Sequence, residues 1–259
     1  MAEEFVRGTV SRGRTVSEAA SRWDNALAQM ARLATQGADR GNVADTLERV
    51  CIAAVDLLAA SGAGISLMAD HGNRGFAAAS DPPSRDLEEL QFTLGEGPCI
   101  EAFTSGRPIL VPDLTDGQRR RWPMYATAAR ERGVRAVFAF PIQIGGSRVG
   151  VLDVFRNQPG SMTAEQIGQA AVFADIALIT VLDGQRNATV GGVPQGFGHA
   201  PGFRAEIAQA QGMIMVQLGV SIVEALVRLR AYAYAEGRLV GDVALDVVAG
   251  RINFTEVAP

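Results

Sequence analysis

Apolar positions recur in steps of four and three from Val16 onward, at Ala20, Trp23, Leu27, Met30 and Ala34. That spacing is the seam of an amphipathic helix. A break at Gly37 to Gly41 separates it from a second helical pattern at Val43, Leu47, Val50, Ala54 and Leu57. The period then shortens. Ile65 to Met68 and Gly75 to Ala79 read as short strands around the turn-rich tip Asp70-His71-Gly72-Asn73. Leu87 to Phe92 reads as a short helix, and Pro98 suits the first position of another that runs to Thr104. Pro108 to Val111 is a short strand, and a helix within Met124 to Arg132 ends at Gly133. Val134 to Ile144 and Arg148 to Phe155, joined through Gly145-Gly146, form the clearest hairpin. Their β-branched content suits central positions in a sheet. Thr163 caps a helix reaching Asp183, with Ile167, Ala171, Ala174, Leu178 and Val181 on one seam.

From Gly184 to Gly202 glycine and proline dominate, which marks a flexible linker. Beyond it lie three short helical patterns. Ile207, Ala210, Ile214 and Leu218 share one face. Ser221 to Glu224 has the S-x-x-E form of a capping box and opens a helix whose buried face is Ile222, Leu226, Leu229 and Ala233. A third helix carries Val243, Ala244, Val247 and Val248. So small a unit has a thin core and leans on a partner or a second subunit. Met213, Met215 and Val216 lie off the Ile207 face and offer a second apolar surface. The pattern divides the chain into a helical extension at 1–41, an α+β domain at 42–184, a linker at 185–202 and a small helical domain at 203–259. In the α+β domain, helices flank an antiparallel sheet. The seams at 16–34 and 167–181 are expected to pack together on one side of it, and to form a helical bundle in a homodimer.

Composition narrows the chemistry. The chain has 259 residues and a net charge of −4, so no global basic field draws it to nucleic acid or to anionic membrane. All 24 basic residues are arginine, which excludes lysine Schiff-base chemistry and a P-loop lysine. Two cysteines, Cys51 and Cys99, form neither a disulfide framework nor a zinc pattern and fit a reducing compartment. Met1 to Phe5 lacks the charged and apolar regions of a secretory signal. The apolar run Ala170 to Leu182 is short for a bilayer span and contains Asp175, so a cytoplasmic protein without membrane contact is expected. Two histidines, His71 and His199, support no HExxH motif and no metal cluster at motif spacing; GxGxxG, Walker A and GxSxG are absent. No constellation demands catalysis, so a non-enzymatic role is expected.

Individual residues carry more than one reading. Cys99, in the first turn of a helix, is either a small buried packing residue or a thiol activated by the helix dipole. A methionine-sulfoxide reductase site would need clustered cysteines, and Cys51 belongs to another helix. Arg119-Arg120-Arg121 reads as a solvated loop or as a phosphate-binding patch. His71 reads as a haem or metal ligand or, with no second ligand near it in the hairpin tip, as an exposed turn residue, and the second reading is preferred. Of Tyr232 and Tyr234, at most one faces the core, since neighbours two apart do not share a helical face.

Ordered sets of residues resemble two known families. Leu94-Gly95-Glu96-Gly97-Pro98-Cys99, Val111-Pro112-Asp113-Leu114, Arg121-Trp122-Pro123, Gly133-Val134-Arg135, Phe140-Pro141-Ile142 and Val149 to Val154 together resemble a GAF domain of the actinobacterial sensor type. The tail resembles an ANTAR domain, the RNA-binding module of transcription antiterminators, through Gln209 to Met215, Glu224-Ala225-Leu226, Leu229-Arg230, Asp242-Val243-Ala244 and Val247-Val248. The resemblance implies a GAF-type antiparallel sheet with flanking helices and a C-terminal three-helix ANTAR domain. It implies a signal-responsive antitermination regulator whose tail binds hairpin loops in nascent transcripts. Gln211, Arg230 and Arg238 are the RNA contacts carried over, with Gln211 standing where the family usually has lysine. Gly97, Cys99 and Phe103 would line a pocket for a small-molecule ligand between the sheet and the segment from Gly95 to Phe103. The resemblance names neither that ligand nor a cofactor. The second functional reading is a protein-interaction or dimerisation regulator. It rests on the tail's slightly acidic balance, with Arg204, Arg228, Arg230, Arg238 and Arg251 against Glu206, Glu224, Glu236, Asp242, Asp246 and Glu256; counterion release then supplies little affinity for RNA.

Overall fold

The computed structural model describes residues 21–26, 28, 42–68, 74–114, 120–187 and 205–255. Most of the seam at 16–34, the tip with His71, Arg119, His199 and nearly all of the linker lie outside the described residues. Helical residues 21–26 (α1) are followed by α2 (Val43–Leu58), β1 (Gly62–Met68), β2 (Arg74–Ala79), α3 (Pro82–Leu94), α4 (Pro98–Ser105) and β3 (Ile109–Val111). Then come α5 (Pro123–Glu131), β4 (Ala136–Ile144), β5 (Ser147–Arg156) and α6 (Ala164–Asn187), and finally α7 (Ala205–Leu218), α8 (Ile222–Ala235) and α9 (Val240–Val248).

The five strands form one antiparallel sheet in the order β2-β1-β5-β4-β3. The alternation of side chains along each strand divides two apolar layers. Phe138, Phe140, Ile142, Leu152 and Val154 point to one face and pack beneath α2 and α6, together with Ala26 of α1. Val137, Ala139, Val151 and Phe155 point to the other and pack beneath α3, α4 and α5. Asp153 lies between Leu152 and Val154, so the same alternation sends its carboxyl into this second layer.

Local chemistry sets the helix boundaries. Asp81 caps α3, its Oδ1 accepting from the Ser84 N–H at 2.7 Å, and Pro82-Pro83 occupy the first two helical positions. The helix therefore spans thirteen residues and ends at Gly95, longer than the short helix expected at 87–92, because the double proline opens the helix where it reads as a turn. Thr163 and Gln166 form the reciprocal cap of α6.

Two expected faces are corrected. Ala171 is exposed, and the covered side of α6 runs instead through Ala170, Phe173, Ala174, Ala177, Leu178 and Val181, because α6 is covered by both α2 and the sheet. Ile222 is 52% exposed; the buried face of α8 is Ala225, Leu226, Leu229 and Ala233. Ile222 follows the Ser221 cap at the very start of the helix, before the chain reaches the core. Among the described residues, one single helix, Ala164–Gly184, is long and apolar enough to cross a membrane, and half of its most apolar window is buried within the fold.

The C-terminal helices close on Ile207, Ala210, Ile214, Leu229, Val243 and Val247. Tyr232 packs on Phe254 with ring centroids 5.5 Å apart, while Tyr234 is exposed. Phe92 of α3 joins this core from the other domain, and α8 packs on α3.

Candidate functional site

Two regions gather the polar chemistry, and α3 belongs to both. Its inward face supplies Glu88 and Gln91, one turn apart; its end supplies Phe92 and Gly95 to the C-terminal helices. Inside the second layer, Ser66 Oγ donates to Glu88 Oε2 at 2.5 Å and Gln91 Nε2 donates to Asp153 Oδ2 at 2.7 Å. Gln91 Oε1 accepts from the Cys99 N–H at 2.9 Å, which satisfies a first-turn donor of α4. The ligand atoms of Glu88, Cys99 and Asp153 lie within 4.8 Å of one another, all buried. Among the described residues, Glu88 Oε1, Asp153 Oδ1 and the Tyr125 hydroxyl find no N–H or hydroxyl partner.

Burial dominates the electrostatics of this cluster. It pushes the Asp153 carboxyl up to about 6, against hydrogen bonds from Glu88, Gln91 and Cys99 that favour the charged form. Burial, reinforced by the neighbouring Asp153 charge, holds Glu88 well above the ordinary carboxylate range. Two carboxyls so close in a low-dielectric interior do not both ionise, so the pair retains a proton at moderate pH. Tyr125 is also pushed up, first by burial and then by the charges of Asp153, Glu88 and Cys99.

Glycines make room for these groups. A Cβ on Gly64 would come within 2.6 Å of Glu88 Cγ, and one on Gly97 within 2.5 Å of Gln91 Oε1. Gly97 also takes φ 138°, a conformation side chains rarely adopt. The motif residue between Gly95 and Gly97 acts elsewhere, since Glu96 Oε1 accepts from the Met124 and Tyr125 N–H groups at 2.6 and 2.9 Å. It thereby caps α5 from a distance. Glu96→Ala is expected to cost about 1–2 kcal/mol and Glu96→Gln less, measured by urea unfolding.

Between the sheet and the segment from Gly95 to Phe103, Cys99, Ala102, Leu87, Tyr125 and Val151 pack as core. Gly97 and Cys99 are buried in it, Cys99 at 2% exposure, with its thiol hydrogen-bonded to Asp153. Phe103 is half-buried under the Arg148 guanidinium, 5.8 Å from the ring centroid. Sequence reasoning missed Ser66, Glu88, Gln91, Tyr125 and Asp153. The available signal was an acid at an inward position of an otherwise apolar strand, Val151-Leu152-Asp153-Val154-Phe155.

The three expected RNA contacts have separate surroundings. Gln211 is buried, and its Nε2 donates to the Ile222 carbonyl at 3.3 Å, tying α7 to the start of α8. A neutral amide suits this covered position, where a lysine would lose its hydration. The Arg230 guanidinium lies 5.0 Å from the Phe92 ring centroid and against Gly95, where a Cβ would sit 3.1 Å from Nη1. Arg238 pairs with Asp246 at 2.6 Å, and Arg251 bonds the other oxygen of that carboxylate. These hydrogen bonds, from Arg238 first, hold Asp246 below its ordinary value. Arg238, Tyr234 and Leu239 face Leu90, Leu94 and Met124 across a groove of about 710 Å³ between the two domains. Arg121 is engaged with Glu101 and lies 4.6 Å from the Trp122 ring centroid, while Arg120 is exposed.

A GAF domain model matches residues 41–210, and an ANTAR domain model matches residues 200–248. No curated protein matches the chain. Among solved structures, the GAF domain of a phosphoenolpyruvate-protein phosphotransferase from Coxiella burnetii is 17% identical with a TM-score of 0.50, over 65% of this chain and 99% of that one. The GAF domain of an Acinetobacter phosphoenolpyruvate-protein phosphotransferase is 12% identical with a TM-score of 0.47, over 63% of this chain and 96% of that one. Likeness at these identities concerns the fold alone. With more than half of its length matched, the chain belongs to the GAF domain family, and it carries an ANTAR domain toward its C-terminal end.

Proposed function

We propose that this protein is a cytoplasmic, homodimeric regulator of transcription antitermination. Its GAF domain receives a signal, and its ANTAR domain binds hairpin loops in nascent RNA. Holding those hairpins prevents a terminator from forming, and no covalent bond changes. The observation that carries the reading is the order of the two domains, a GAF fold followed by ANTAR helices packed directly on it. Arg230 supports signal control, because the residue carried over as an RNA contact packs on Phe92 of the GAF domain. In this reading RNA and the GAF surface compete for Arg230, so the docked fraction reduces apparent affinity.

The test is titration of the full chain with RNA carrying paired hairpins with unpaired loops, at two salt concentrations. Saturable, loop-dependent binding that Arg230→Ala/Arg238→Ala loses supports the proposal, and the salt slope counts the phosphates contacted. Phe92→Ala, which removes the docking ring and leaves the ANTAR residues intact, should tighten binding by about tenfold if docking dominates. The second reading, a protein-interaction regulator, is favoured by the burial of Gln211 and the neutralisation of Arg238 by Asp246. Absence of binding at low salt by folded wild type and folded Phe92→Ala would decide for it.

A further inference from the structure

We propose that Glu88, Cys99 and Asp153 form a binding site for one divalent transition-metal ion in the interior of the GAF domain. The three donors come from α3, the first turn of α4 and the central strand β5, and their ligand atoms lie within 4.8 Å of one another. Each carboxyl has one oxygen held by a neutral side-chain donor. Ser66 fixes Glu88 Oε2 and Gln91 fixes Asp153 Oδ2, while Glu88 Oε1 and Asp153 Oδ1 receive no N–H or hydroxyl. Gln91 also holds the Cys99 backbone, so one amide orients two of the three donors. This is the arrangement by which outer hydrogen bonds aim metal ligands.

An independent observation points to the same place. Tyr125 is fully buried in the same layer, its hydroxyl has no hydrogen-bond partner among the described residues, and the charges of Asp153, Glu88 and Cys99 act on it. One thiol with two carboxyls selects a borderline metal of the zinc, cobalt or iron(II) class over magnesium or calcium, which take oxygen ligands. With two carboxylates and a thiolate as ligands, a divalent ion leaves the site with a net charge of −1, and a cation separates the two neighbouring carboxyls of Glu88 and Asp153.

The experiment uses the full chain, stripped with a chelator and titrated with cobalt(II) in weakly buffered solution. A thiolate-to-cobalt charge-transfer band saturating at one ion per chain is the expected result. Zinc should displace the cobalt, and magnesium should not. Cys99→Ser should lose the band, while Cys51→Ser, whose thiol lies in the opposite core, keeps it. Ser66→Ala leaves the ligands in place but frees Glu88, and should weaken binding roughly 10- to 100-fold. A folded wild type without a saturable band overturns the proposal, as does a band that survives Cys99→Ser. Should Cys99→Ser fail to fold, the decision passes to Ser66→Ala, where unchanged affinity overturns it.

Discussion

Raising the pH from about 4 to about 8 should destabilise the metal-free protein by about 3 kcal/mol through Asp153 alone. The carboxyl titrates at about 6 in the folded chain against an ordinary value of 3.8. Between those values the folded state holds a proton that the unfolded state has released. Stability from this group is therefore full below about pH 4, declines as pH rises, and is lost above the folded value of about 6. Glu88 is shifted the same way and extends the loss in the same direction. Urea unfolding with chelator present, repeated across this range, measures the slope. Asp153→Asn removes the titrating group but keeps an oxygen for the Gln91 amide, so its profile should be flatter. Stability that stays level or rises between about pH 5 and 7 in the wild type, with Asp153→Asn identical, would remove the buried pair from the account.

That pair also marks the limit of what the sequence discloses. Periodicity places the strands and most helices, because a sheet covered on both faces and helices bearing apolar stripes leave direct patterns. Residues 134–155 read as a hairpin, and Ala136–Ile144 and Ser147–Arg156 form one, with Gly145-Gly146 at the turn. Helix α3 is legible only in part, since Asp81, Pro82 and Pro83 suit a turn and a helix start equally well. The polar cluster depends on contacts between residues far apart in the chain: Gln91 meets Asp153 across 62 positions and Ser66 meets Glu88 across 22. No local pattern records such a meeting. Resemblance draws attention to Gly97 and Cys99, which lie against this cluster, but carries no signal for its acids and tyrosine. On the ANTAR side, motif points to Arg230 and Gln211, but motif carries no information about a second domain lying on α8 or about burial against Ile222.

Gly150 and Gly146 lie four residues apart on the same hairpin, and alanine should affect them very differently. Gly150 pairs with Leu67 on one side and with Ile142 on the other, at the centre of the sheet. A Cβ there would meet the Ser66 carbonyl oxygen at 2.3 Å and the Leu67 Cα at 3.2 Å. Both are backbone atoms of a paired strand, so neither can swing aside as a flexible side chain would. Relief requires β1 to separate from β5 and weakens their ladder. Gly150→Ala should therefore cost roughly 3 kcal/mol, and lower the melting temperature by about 6–12 °C. Gly146 has nothing within 4 Å of its Cβ position among the described residues and no positive φ, so Gly146→Ala should stay within about 0.5 kcal/mol of wild type. The consequence extends beyond stability. Ser66 is the residue displaced, and its hydroxyl holds Glu88, while Asp153 lies three residues further along β5. A Gly150→Ala protein that still folds should thus have an altered pH profile as well as a lower melting temperature. A variant that melts with wild type and retains its pH profile would show that β1 and β5 do not approach here as closely as the geometry requires.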